Sequence, residues 1–196
     1  MQKIDICNMA LSLIGQSPIS GLKEDNERAR RIDLFYEPVR KEILRQHDWS
    51  FAKRIAKLTP TQIAEEENPA EFYKAYAYPT GALYITNVFY KYAVNRVPFK
   101  EIYSVKQAKK CIVCAREDVS VEYTQDITDT ELFTPDFAQT FSLALAANLA
   151  MPLTGDSNLA QIFLQKYAWA LDAARQTNKT EELSKNFQTS VFLESR

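Results

Sequence analysis

The chain has 196 residues, 46% hydrophobic and 25% charged, with a formal net charge of −1. These totals fit one globular domain or two small ones with a real core, and they exclude a free-standing polybasic binder of nucleic acid or lipid. The three cysteines, Cys7, Cys111 and Cys114, form an odd set that reads as free thiols in a reducing compartment.

The opening stretch, MQKIDICNMALSLIG, carries Lys3 and Asp5 inside it. It therefore reads as an amphipathic helix with Ile4, Cys7, Leu11 and Ile14 on one side, and not as a secretion signal. No apolar run approaches about 18 residues, so no membrane span is expected. Gly15, Pro18 and Gly21 break this helix. A second helix is expected over 24–47, with Ile32, Phe35, Tyr36, Val39, Ile43 and His47 as its apolar stripe. Pro38 should kink or split it. Arg28, Arg30, Arg31, Arg40, Lys41 and Arg45 fall on the opposite face, interleaved with acids, which is the pattern of a solvated face.

The texture changes at WSFAKRIAKLTP, which reads as a strand ending at Pro60. Further strands are expected in ALYITNVFYKYAV, VPFKEIYSV, CIVCA and VSVEYTQDI. The segment QIAEEENPAEFYKAYAYPTG between the first two strands reads as a loop or a short broken helix. Thr134, Pro135 and Asp136 then make a helix start: a capping hydroxyl, a proline suited to the first turn and an acid that complements the dipole. Phe137, Phe141, Leu145 and Leu149 run down one side of this helix and alanines cover much of the rest. A helix apolar nearly all round belongs in a core. Pro152 and Gly155 should end it. The last helix starts near Asp156, with Leu159, Ile162, Phe163, Tyr167, Ala170, Leu171 and Ala174 as its stripe. From 177 the chain turns polar and reads as a flexible tail.

The expected fold is α+β, mainly α: an antiparallel helical bundle from both chain ends, an inserted β-rich module and an extended C-terminal tail. The corresponding boundaries are 1–48, 49–128, 129–176 and 177–196.

Few residues suggest chemistry. Cys111 and Cys114 have CxxC spacing, but they fall in a strand pattern and not at a helix start, so they read as small apolar filler. His47 has no nucleophile motif beside it and reads as a helix-end residue. Asp126, Asp129, Glu131 and Asp136 could include the carboxylate pair of a glycosidase, whose spacing the sequence does not fix. The run FYKAYAYP could stack on bases but more commonly packs a β module or a protein interface.

The ordered set ALSLIGQSPI, ARRIDLFYEPVRKEIL, HDWSFAKR, YAYP, YTQDITDTELFTPDF and LALAANLAMPLTGD resembles the phage tail tubular protein A family. The resemblance covers roughly residues 4–176. Members are head-to-tail adaptors of short-tailed phages. The resemblance implies a structural protein of the virion head–tail junction, assembled in the host cytoplasm, with no enzymatic activity, cofactor or metal. It also implies a ring, commonly of twelve copies, that can be monomeric in isolation. The implied partners are the portal protein, the next tail protein and double-stranded DNA, which passes through without sequence-specific binding. Tails of such adaptors often reach along the portal, which by position assigns portal contact to Phe187, Val191, Phe192 and Leu193. The alternative reading is a virion-associated cell-wall hydrolase that uses two of the four carboxylates above.

Overall fold

A computed structural model describes residues 1–68, 74–90 and 95–194, with side chains described up to 181. At 47% helix and 23% strand, the fold is mixed α+β. The chain divides into two compact units, one of Met1–Phe51 with Ile127–Arg196 and one of Ala52–Asp126.

In the first unit, α1 spans Lys3–Leu13, α2 Glu27–Arg45, α3 Pro135–Thr154 and α4 Ser157–Glu194. Local chemistry sets most of these ends. The Asp5 carboxylate accepts from the Gln2 N–H at 2.8 Å, and Asn26 caps α2 by accepting from the Ala29 N–H at 2.9 Å. Pro38 does not split α2, which runs through it. Pro38 and Leu34, whose carbonyl loses its helical donor there, both lie on the exposed side, where water can take over the bond. Pro152 likewise sits inside α3. The helix ends two residues later, at Thr154, before Gly155, whose φ of +73° gives the left-handed cap and whose N–H donates to the Met151 carbonyl at 2.9 Å.

The helix α3 packs against α1, α2 and α4. Eleven of its residues are buried, so its apolar surface has partners on several sides. An aromatic cluster surrounds its first turns. Phe137 meets Trp49 edge-on at 5.1 Å, Phe51 at 5.0 Å and Phe133 at 4.7 Å, while Phe141 meets Tyr36 at 4.9 Å.

Helix α4 continues well past Gln176, where polarity alone suggested a flexible tail. No Gly or Pro interrupts residues 157–194, and the helix is roughly 57 Å long at 1.5 Å per residue. Asp156 starts it by accepting from the N–H groups of Asn158 and Leu159 at 2.9 and 3.1 Å. Its buried stripe is Phe163, Leu171, Ala174 and Asn178. Ile162, expected in that stripe, is 46% exposed.

The second unit holds β1 (Lys53–Lys57), β2 (Lys74–Ala77), β3 (Ala82–Tyr90), β4 (Asn95–Arg96), β5 (Phe99–Ser104), β6 (Lys109–Cys114) and β7 (Val119–Gln125). All pairings are antiparallel, in two sheets of order β1-β7-β3-β4 and β2-β6-β5. Strand β2 was read from sequence as loop or broken helix. It is four residues long, and its alanines carry little strand signal. Pairing on both sides secures it: β6 lies along one edge, and on the other Thr61 N–H donates to the Ala75 carbonyl and Ala77 N–H to the Thr59 carbonyl, both at 2.9 Å. One core joins residues of both sheets, including Tyr76, Ile85, Val88, Ile112, Cys114 and Val121. Phe72 and Tyr73 of the aromatic run, and residues 91–94 of the second expected strand, lie outside the described residues.

Candidate functional site

The first unit contains two arrangements that exceed simple core packing: a clamp at the end of α2 and an open groove between α1 and α3. The clamp begins with the turn after α2. Trp49 is buried, and its indole N–H donates to the Ile43 carbonyl at 2.9 Å, satisfying a helix-end acceptor. Three residues of α4 then hold residues 46–50. Tyr167 donates its hydroxyl to Gln46 Oε1 at 3.1 Å, and Arg175 donates to the Gln46 carbonyl at 2.8 Å. Asn178, only 6% exposed, accepts from the Ser50 N–H at 3.1 Å and donates to the Asp48 carbonyl at 3.3 Å. Its amide also lies 3.2 Å from His47 Nε2. The His47 ring stands edge-on to Trp49 at 5.0 Å. His47 thus belongs to the clamp at a helix end.

Arg40 was read from sequence as part of the solvated face of α2. Instead it is 1% exposed. Its guanidinium donates to the Ile127 carbonyl and twice to Glu37 Oε2, at 2.6 and 3.0 Å. Burial would raise the Glu37 carboxyl, but the hydrogen bond and charge of Arg40, with Lys3 adding to them, hold it below the usual carboxylate range. The arginine therefore ties α2 to the first residue after the chain re-enters this unit.

The groove between α1 and α3 has a volume of about 760 Å³. Met1, Met9, Leu13, Pro135 and Leu143 give it an apolar lining, with Asn8, Ser12 and Gln139 among its polar residues. Met9 is 39% and Leu13 40% exposed, more than a closed core would leave. On the outer side of α4, Trp169 is 74% exposed and Leu164 58%. Exposed apolar groups of this size are a common mark of interaction surfaces.

Of the carboxylates read as a possible acid pair, Asp129 and Asp136 have local roles at helix starts. Asp129 caps a short 3-10 turn by accepting from the Glu131 N–H at 3.0 Å. Asp136 lies in the first turn of α3, and Glu131 is exposed. Asp126 belongs to the other unit.

All three cysteines are free and buried. Desolvation pushes Cys7 up to about 12 and raises Cys111 and Cys114, so their thiols stay protonated and poorly nucleophilic. Among the described residues no cluster of three or more His, Cys, Asp or Glu could hold a metal ion, and no helix is long and apolar enough to cross a membrane. The backbone at Phe187, Val191, Phe192 and Leu193 is helical within α4, but their side chains lie outside the described ones.

The clamp residues and the groove were missed in the sequence. Asn178 offered only one faint signal, a position four residues beyond Ala174 in the α4 stripe. No family model matches the chain, and no curated protein matches it.

Proposed function

We propose that the protein is a structural head-to-tail connector of a phage virion. In this reading it forms a ring under the portal, extends the DNA channel, seals the filled capsid and docks the next tail protein. The carrying observation is where the resembling segments fall. ALSLIGQSPI covers the last turn of α1 and the turn after it, ARRIDLFYEPVRKEIL makes most of α2, and LALAANLAMPLTGD makes the second half of α3 and the turn after it. Helices α1 and α2 both pack on α3 in one compact unit, so these three motifs share a core. The finer architecture in this reading is a helical bundle from both chain ends with the β unit inserted. The outer end of α4 serves as the portal-reaching arm, and the groove and Trp169 are surfaces open to neighbouring proteins.

The test is light scattering on a sizing column, with the protein alone and mixed with the portal ring of the same genome. Co-elution at a mass of many copies per ring is expected. No association with an intact portal ring overturns the reading. The arm is tested by cutting after Glu181, because Asn178 is part of the clamp and must be kept. The truncated chain should keep its fold and lose portal docking; undiminished docking would remove Phe187, Val191, Phe192 and Leu193 from the interface.

A further inference from the structure

The second unit carries a concentration of positive charge that the connector reading does not use. From Ile102 to Arg116 there is no acidic residue, while Lys106, Lys109, Lys110 and Arg116 give this stretch a charge of +4 in a chain of net −1. The stretch includes the β5–β6 hairpin, whose turn is unusually well fixed. Ala108 adopts a left-handed φ of +50°. Glu67 braces the turn by accepting from Ser104 Oγ at 2.6 Å and from the N–H groups of Val105 and Lys106 at 2.6 and 3.1 Å. These bonds, that from Ser104 foremost, hold the Glu67 carboxyl below its ordinary range.

Beside this turn, at the end of the sheet β2-β6-β5, lies a pocket of about 380 Å³ lined by Tyr78, Thr80, Gln107, Lys109 and Lys110, with Ala77 and Cys111. No carboxylate lines it among the described residues. Lys110 Nζ sits over the Tyr78 ring, 5.5 Å from its centroid, which places the ammonium at the pocket. Lys109 and Lys110 are both exposed and have no ion-pair partner among the described residues. Three other lysines of this unit are engaged, Lys53 with Glu122, Lys57 with Asp118 and Lys74 with Glu117, while Lys100 and Lys106 also have no ion-pair partner among the described residues. Two exposed lysines lining one pocket on a braced turn, with the Thr80 hydroxyl beside them, match the needs of a phosphate group, while the Gln107 amide is already held by Thr61 Oγ1 and the Gln62 carbonyl.

We propose that this pocket binds phosphate, either a phosphodiester of a nucleic-acid backbone or the free ion. Glu65 and Glu66 are exposed on the same short 3-10 turn as Glu67 and weaken the local field, so binding belongs to the low-salt range. The site goes beyond the connector reading and does not depend on it.

The experiment uses the full chain, a fluorescein-labelled 30-base-pair duplex read by anisotropy, and inorganic phosphate titrated by calorimetry. Two backbone contacts predict a log–log salt slope of about −1.8, or a roughly tenfold loss of affinity between about 50 and 200 mM salt. The variant K109Q/K110Q should lose that salt-dependent component and keep its thermal melt, because both side chains are exposed. The control K166Q/K179Q, on α4, should bind like the wild type. Duplex binding assigns the pocket to the backbone; calorimetric binding of phosphate alone, lost in K109Q/K110Q, assigns it to the free ion. Equal binding by K109Q/K110Q and wild type, or no binding of either probe by the wild type, overturns the proposal. If phosphate binding persists while portal co-elution fails, only the connector reading falls; the reverse result removes only the pocket.

Discussion

Replacing Asn178 by alanine tests whether the far part of α4 is a structural element of the first unit or a tail. The side chain is 6% exposed and bridges to residues 47–50. Alanine strips the Ser50 N–H of its acceptor at 3.1 Å and the Asp48 carbonyl of its donor at 3.3 Å, and ends the contact with His47 at 3.2 Å. A net hydrogen bond contributes about 1 kcal/mol, and a buried group left unpaired costs about 1–3 kcal/mol. The Asp48 bond is long and Ser50 is only half-buried, so the expected loss is about 2 kcal/mol. For a chain of this size that is a fall in Tm of about 4–8 °C. Urea unfolding followed by tryptophan fluorescence is the assay. Both tryptophans lie in this unit, and the buried Trp49 stands next to the clamp. Thr180→Ala is the matched control, since its exposed hydroxyl bonds only the Gln176 carbonyl of its own helix. A loss below about 0.5 kcal/mol for Asn178→Ala, within the usual range for neutral surface changes, would refute the clamp.

Three further outcomes concern buried groups of the two units. Tyr36 is 2% exposed and its hydroxyl has no hydrogen-bond partner among the described residues, so Tyr36→Phe should leave thermal stability unchanged or raise it by up to about 1 kcal/mol; a clear drop in Tm would mean that the hydroxyl has a bound partner. Glu37→Gln should destabilise at pH 7 by about 1–2 kcal/mol, a figure reduced from that of a fully buried pair because the Glu37 side chain is 46% exposed. The folded-state pKa of Glu37 lies below its ordinary 4.5, so its contribution is present above that value and disappears as pH falls through the lower folded value. Stability curves of wild type and Glu37→Gln should therefore converge in acid, and a gap that stays constant down to pH 3 would contradict this linkage. Finally, Cys7, Cys111 and Cys114 should resist iodoacetamide at pH 8 in the native protein and react in urea; fast labelling of either CxxC thiol in the native state would contradict their burial.

Part of this was legible because the signals are local. Thr134, Pro135 and Gly155 announce the ends of α3 within a few residues, since a cap needs only a neighbouring oxygen or a left-handed glycine. The apolar run of α3 likewise announces a buried helix, because a helix without a polar face has no stable place in water. The strand patterns of β3, β5, β6 and β7 were similarly readable from alternation and turn residues. Strand β2 was not, because its stability comes from neighbours on both edges and not from its own four residues.

The polar framework was decided by tertiary structure alone. Arg40 reads as one more charge on an amphipathic helix until the Ile127 carbonyl, 87 positions away, arrives to accept from it. Asn178 reads as the start of a polar tail until the backbone of Asp48 and Ser50 meets it, and Ile162 reads as core although it stays 46% exposed. The groove has the same origin, since Met9 and Leu13 of α1 meet Pro135 and Leu143 of α3 only once the helices pack. Periodicity and capping report the preferences of a segment. Which polar group is buried, and which apolar face stays open, depends on the atoms that distant segments bring to it.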